Sequence, residues 1–377
     1  MDEAMVRCDR CGDETPALRF CVRCGNRLGV AGPRRGVRHE YAASPDEGFA
    51  GLHIVSTIFP QLPRADMESF RVALIAAIAL MVGLGALGLF PAALAAAAVA
   101  VPLLMAIYLR DVDIYEDEPL RVLALTMAWG AIWGVVVTLL LRLAQPGAAS
   151  LGAGDATGHL LAFGVGVPLL ELAVILVGPL ALLRYARFND VLDGATFGAA
   201  AAVSFVGAGG LLAALDFTRA GSAPPGETLP RLVVLMTLGV ALPLIAAGVA
   251  GSAMGSIWLS TRSSLRHRRP LGPLGNPVVA LTVAAVIFVL ATLARLLLPA
   301  LTALLAMVLL GVVALTWLRL VIHVGLLDEA SGLQIGPPVR CANCGRMTPR
   351  HTFCADCGVA LRALPKGAPR GTPDGDG

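Results

Sequence analysis

Between Phe70 and Val324 the chain is a succession of apolar runs separated by short polar stretches. Runs of about 18 or more apolar residues are long enough to cross the hydrocarbon core of a bilayer as helices. No soluble domain of this size could bury so much apolar sequence. Of the 377 residues 56% are hydrophobic and 15% charged, with a mean hydropathy of +0.76, whereas soluble domains carry about a quarter charged residues. Eight spans are predicted: Phe70–Phe90, Ala92–Leu109, Leu120–Leu141, His159–Leu183, Val191–Leu215, Leu232–Leu259, Pro277–Leu298 and Ala300–Val324. The first two are parted around Pro91 and the last two by Pro299, which predicts two tight hairpins.

All eight cysteines lie outside this region. Cys8–Leu28 and Cys341–Leu361 align without gaps and share ten of 21 positions, both reading C-x2-C-G-x8-C-x2-C-G. Two CxxC loops place four thiolates at the corners of a tetrahedron about 2.3 Å from a zinc ion. The glycine after each pair lets the backbone turn its N–H groups toward sulfur. A segment of this length cannot bury a core of its own, so metal binding would supply its folding free energy. The expected sites are Cys8, Cys11, Cys21 and Cys24, and Cys341, Cys344, Cys354 and Cys357. Zinc is favoured over disulfides, which suit small secreted domains, and over iron, which also accepts four thiolates. A closed four-cysteine shell is structural, since catalysis needs an open position. Phe20 and Phe353 each precede a second CxxC pair and are expected to form their module's small apolar contact. His351 is expected to be solvated rather than a ligand. The modules resemble the short zinc ribbons at the ends of many bacterial membrane and regulatory proteins, which implies protein or nucleic-acid contact.

The fold expected is therefore an all-α polytopic membrane helix bundle with a zinc ribbon at each terminus. Its parts are a ribbon over 1–29, a linker over 30–69, a membrane domain over 70–325, a linker over 326–339, a ribbon over 340–362 and a disordered tail over 363–377. The first apolar run follows a polar, cysteine-bearing head, so no signal peptide is expected. Orientation follows from arginine. Arg110, Arg121, Arg184, Arg187, Arg262, Arg266, Arg268 and Arg269 flank one set of loops, against Arg142, Arg219 and Arg231 on the other. The richer side is expected to be cytoplasmic, and eight spans return both termini to it, where reducing conditions keep thiols free for zinc. The expected location is the cytoplasmic (inner) membrane, with the lipid bilayer and a protein docked on the ribbons as partners. The net charge of +3 is too small to argue for nucleic acid.

Carboxylates within a span are costly and mark functional candidates. Glu171 lies mid-span in GVGVPLLELAVILVGPL, with Pro168 three residues before it. Its bland alternative is a protonated carboxyl bonded to a neighbour such as Thr196 or Ser204. Asp190 and Asp193 sit at one mouth of the fifth span and Asp216 at its far end, where solvation or helix capping explains them. Arg295, His159 and His323, near span ends, read as interface residues.

The order of these motifs resembles that of the PrsW-type intramembrane proteases over roughly 107–210. DVDIYEDEPLRVLALTMAWGAIWG is similar to the family's acidic loop and following span. VPLLELAVIL is similar to its P-x-x-E-E-x-x-K helix, with Pro168 and Glu171 in place but Leu172 and Ile175 where the second Glu and the Lys would stand. FNDVLDGATFGAAAAVSFVGAGG resembles its D-G-x-x-Y-G-A-A segment, with Asp193, Gly194, Gly198 and Phe205 matching but Gly209-Gly210 in place of a Glu-Asn pair. The sixth span has no histidine. The resemblance implies an intramembrane peptidase fold with Glu171 and Asp193 as catalytic candidates. One mid-membrane carboxyl cannot easily serve as both acid and base, which points to a degenerate member acting as scaffold or sensor. An active peptidase using Glu171, and a transporter with helices broken at Pro168, Pro179 and Pro243, are the other readings.

Overall fold

The computed structural model describes residues 4–9, 11–29, 68–112, 120–148, 156–188, 190–219, 228–262, 269–332 and 334–361. Most of the first linker, the acidic loop over 113–119, Arg266, Arg268 and the tail beyond 361 lie outside the described residues. So do the side chains of Arg110 and His323. The chain divides into two units. One contains both cysteine modules and begins again at Ile322, within the last helix, and the other, Ser69–Ser263 with Arg268–Val321, contains the rest of the helices.

Eight helices among the described residues are long and apolar enough to cross a membrane. They are α1 (Glu68–Ala86), α2 (Phe90–Val112), α3 (Leu120–Ala148), α4 (Ala156–Leu161, Ala162–Gly166 and Val167–Leu182), α5 (Val191–Arg219), α6 (Thr228–Met236, Thr237–Ala241 and Leu242–Arg262), α7 (Pro277–Leu297) and α8 (Ala300–Gly332). Each predicted span corresponds to one helix. The protein is a polytopic helical bundle with a four-cysteine module at either end of the chain.

The first hairpin turns for a different reason from the one expected. Gly88, at φ 73°, ends α1 in a left-handed cap, with Leu89 N–H donating to Leu84 C=O at 2.9 Å. That bond is the signature of a Schellman cap. Pro91 falls inside the first turn of α2, where its missing N–H is of no consequence. Pro299 does act as expected. It holds Leu298 extended at φ −99° and ψ 149°, because the ring excludes the helical region for its predecessor.

The centre of the bundle is α5, buried on every side from Val191 to Phe205. It packs against α2, α3, α4 and the last piece of α6. Lipid tails are as apolar as leucine, so helices associate through close packing, and small residues permit it. Added methyls show how close the backbones run. At Gly198 a methyl would lie 2.5 Å from the carbonyl oxygen of Ala250, and at Gly251 one would lie 2.8 Å from that of Ala195. The α5–α6 contact is thus reciprocal, glycine to carbonyl in both directions. Gly130 and Gly134 on α3 abut the carbonyls of Ala201 and Phe205 in the same way. By contrast α1 buries none of its apolar stretch in the bundle, which suits a helix facing lipid.

Two helices carry a π-turn. In α4 the N–H of Val167 bonds to Ala162 C=O, and in α6 that of Leu242 bonds to Thr237 C=O, both five residues back. A proline follows each, Pro168 and Pro243. Its ring excludes the carbonyl four residues earlier, Gly164 or Gly239, from ordinary helical pairing, and the helix widens.

Candidate metal centres and the intramembrane carboxylate

Each terminal module is a short antiparallel hairpin: β1 (Met5–Arg7) with β2 (Glu14–Pro16), and β3 (Gly336–Arg340) with β4 (Met347–Arg350). The four CxxC loops close alike. Gly12, Gly25, Gly345 and Gly358 all have φ between 70° and 77°. Their N–H groups donate to the carbonyls of Cys8, Cys21, Cys341 and Cys354 at 2.8–2.9 Å. A side chain at that φ would be strained, which is why glycine follows each pair.

The sulfurs converge as the spacing predicts. Within each group of four, all ligand atoms lie within 4.8 Å of one another. Cys8–Cys24 is 3.7 Å, and Cys11–Cys21, Cys341–Cys357 and Cys344–Cys354 are 3.8 Å. A regular tetrahedron of sulfurs at about 2.3 Å from a central zinc has an edge of about 3.8 Å. A disulfide would require about 2.05 Å, and all eight cysteines are free. The residues therefore fit a metal. Sharing protons with its neighbours, first of all Cys11, holds the Cys8 thiol far below its ordinary range. The contact with Cys21 pushes Cys11 well above it. In the second site burial raises Cys341 to about 12. A divalent cation relieves this competition by binding all four as thiolates.

The modules meet each other. Phe20 N–H donates to Ala355 C=O and Phe353 N–H donates to Val22 C=O, both at 2.8 Å. Under the repeat, Phe20 corresponds to Phe353 and Val22 to Ala355, so the pairing has an internal two-fold symmetry. A methyl at Gly25 would lie 2.9 Å from the Phe353 ring. The two phenylalanines, expected to serve their own modules, therefore lie at the joint between modules. His351 reaches it as well, half-buried, its Nδ1 at 3.0 Å from Val22 C=O. Thr15 and Thr348 are fully buried. Their hydroxyls accept from the N–H groups of Val22 at 3.2 Å and Ala355 at 2.9 Å. Sequence reasoning assigned these threonines no role, although they stand among the ten identities of the repeat.

In the helical unit, Glu171 follows the π-turn of α4 and lies within electrostatic reach of Arg295 on α7. The two helices pack together and run antiparallel. Helical side chains lean toward their own N-terminus, so these two lean toward each other. Arg295 is thus the basic group whose charge reaches Glu171 across the packed helices. The Ser204 hydroxyl has no partner among the described residues, so it does not hold Glu171.

Asp193 is placed elsewhere. In the first turn of α5 its carboxylate accepts from Asp190 N–H at 3.2 Å, and its own N–H donates to Asp190 C=O. This is the return half of a capping box, with the third residue's carboxylate reaching back to the cap N–H. Trp129 of α3 donates to Val174 C=O at 3.0 Å, and the next residue, Gly130, abuts Ala201. Glu171 therefore stands near the level of Ser204, and at 1.5 Å per residue Asp193 is on the order of 15 Å away along the bundle. The two catalytic candidates are not brought together. At the far end of α5, Asp216 pairs with Arg142 at 2.5 Å. The π-turns also escaped sequence reasoning, although both carry G-V-x-x-P-L, at Gly164–Leu169 and Gly239–Leu244.

No protein-family model, curated protein or solved structure matches the chain.

Proposed function

We propose that this protein is a membrane scaffold or sensor whose soluble working part is a pair of zinc ribbons, carried on a PrsW-like helical core that has lost its proteolytic set. The observation that carries the reading is the division of the carboxylates. Asp193 is engaged in a helix cap and Glu171, the one carboxylate well inside a span, lies within reach of the Arg295 charge on α7, an arrangement that does not favour two carboxyls acting as acid and base on one water. The membrane core then anchors the ribbons, which dock a protein partner. Pairing of the two ribbons supports an even number of spans and both termini on one side. The arginine distribution makes that side the cytoplasm. Zinc is preferred for closed four-thiolate sites with a structural role.

The second reading, an intramembrane peptidase, draws on the π-turn and on Pro168 three residues before Glu171, since π-turns recur at functional positions. Membrane-protein fragments compared among cells with the native chain, a deletion and Glu171→Gln decide between them. The scaffold reading expects the same fragments in all three. A fragment lost in both the deletion and Glu171→Gln strains makes the chain a protease and overturns it.

A further inference from the structure

The two cysteine modules are joined through the peptides that shape their metal sites. Val22 lies inside the Cys21–Cys24 loop and Ala355 inside the Cys354–Cys357 loop. Both residues are fully buried. Each loop residue has its N–H held by a threonine of its own module and its carbonyl held by the phenylalanine N–H of the other. Those phenylalanines directly precede Cys21 and Cys354. No residue intervenes between the ligand-bearing loop of one module and that of the other.

We infer that the two four-cysteine sites form one metal-linked clasp, in which filling either site raises the affinity of the other. The inference rests on the assignment of metal to these cysteines and adds the coupling between them. Its physical basis is orientation. A bound metal fixes the loop peptides between its ligands, and so aims the Val22 or Ala355 carbonyl at its donor across the joint. An unfilled loop loses that tether, and its carbonyl is free to turn away. The same joint supplies apolar cover that neither module has alone, with Phe353 2% exposed and set against Gly25. A module of about 20 residues buries too little surface to stay ordered by itself. Each ribbon is therefore the first partner of the other, and the clasp closes the chain into a loop by joining its two ends. Metal availability becomes a switch for that closure.

Coupling between sites is reciprocal, and allosteric factors commonly fall in the range of about 5- to 150-fold. The test uses the full chain in detergent and cobalt(II) as probe, read by its thiolate absorbance. The native chain is expected to take two cobalt ions. Cys8→Ser/Cys11→Ser and Cys341→Ser/Cys344→Ser should each take one. The surviving site should be weakened by about 10- to 100-fold, and by the same factor in the two directions. Phe353→Ala, which keeps all eight cysteines, should weaken both sites. Surviving sites that keep native affinity overturn the coupling while leaving the metal assignment intact. A native chain that takes no stoichiometric metal overturns both.

Discussion

Gly198 sits where α5 and α6 come closest, and its replacement by alanine tests whether backbone contact holds the bundle together. The new methyl would lie 2.5 Å from the Ala250 oxygen, 2.8 Å from Met254 Cγ and 2.9 Å from the Ala250 carbonyl carbon. Ordinary contact needs about 3.5 Å, so the helices must part by up to about 1 Å. The side chain of Met254 can move, but the backbone of Ala250 can do so only with its helix. Overpacking of this kind costs about 1–3 kcal/mol. Alanine itself favours a helix over glycine by about 1 kcal/mol, and the control isolates that gain. Gly83 in α1 has nothing within 4 Å of its added methyl. Gly83→Ala should therefore stabilise slightly, while Gly198→Ala falls below it by about 1–3 kcal/mol. Thermal unfolding in one detergent reads the difference, at roughly 2–4 °C per kcal/mol for a unit of this size. Equal melting temperatures for the two variants would refute the close-contact account of the core.

Removing the hydroxyl in Thr348→Val leaves the buried Ala355 N–H without its acceptor. This should cost about 1–3 kcal/mol, read as faster metal release to a chelator. Because burial raises Cys341 to about 12, its protonated form dominates at neutral pH, and metal must displace that proton. Cobalt affinity should therefore fall as pH falls, by up to about tenfold per unit for each proton released, in titrations between pH 8 and pH 6. In the membrane, Glu171→Gln should destabilise by removing the nearby negative charge that favours the buried Arg295, and Glu171→Gln with Arg295→Met should recover much of the loss. A double-mutant cycle of melting temperatures checks this. Asp193→Ala should lose about 1 kcal/mol with the cap, and a defined loss of proteolysis instead would contradict its place there.

Local chemistry is what the sequence carries on its face. Apolar runs long enough for a bilayer exposed all eight helices, because length and hydropathy are additive along the chain and the bilayer is a uniform solvent. The cysteine spacing exposed both metal sites for a similar reason. Four ligands and two glycines within 18 residues, from Cys8 to Gly25, leave little freedom about where the sulfurs meet. Even the cap at Asp193 was open to reading, since its partner Asp190 is three residues away.

Only tertiary structure decided which of these local pieces face one another. Glu171 and Arg295 stand 124 positions apart, and nothing in either neighbourhood announces the other. Their proximity depends on α4 and α7 lying antiparallel in contact. The pairing of Phe20 with Ala355 and of Phe353 with Val22 spans nearly the whole chain, and it turns two repeats into one two-fold object. The repeat itself showed that a module had been used twice. It could not show that the copies were complementary, because complementarity resides in which carbonyl each loop leaves unbonded, and that is fixed only once both loops are folded.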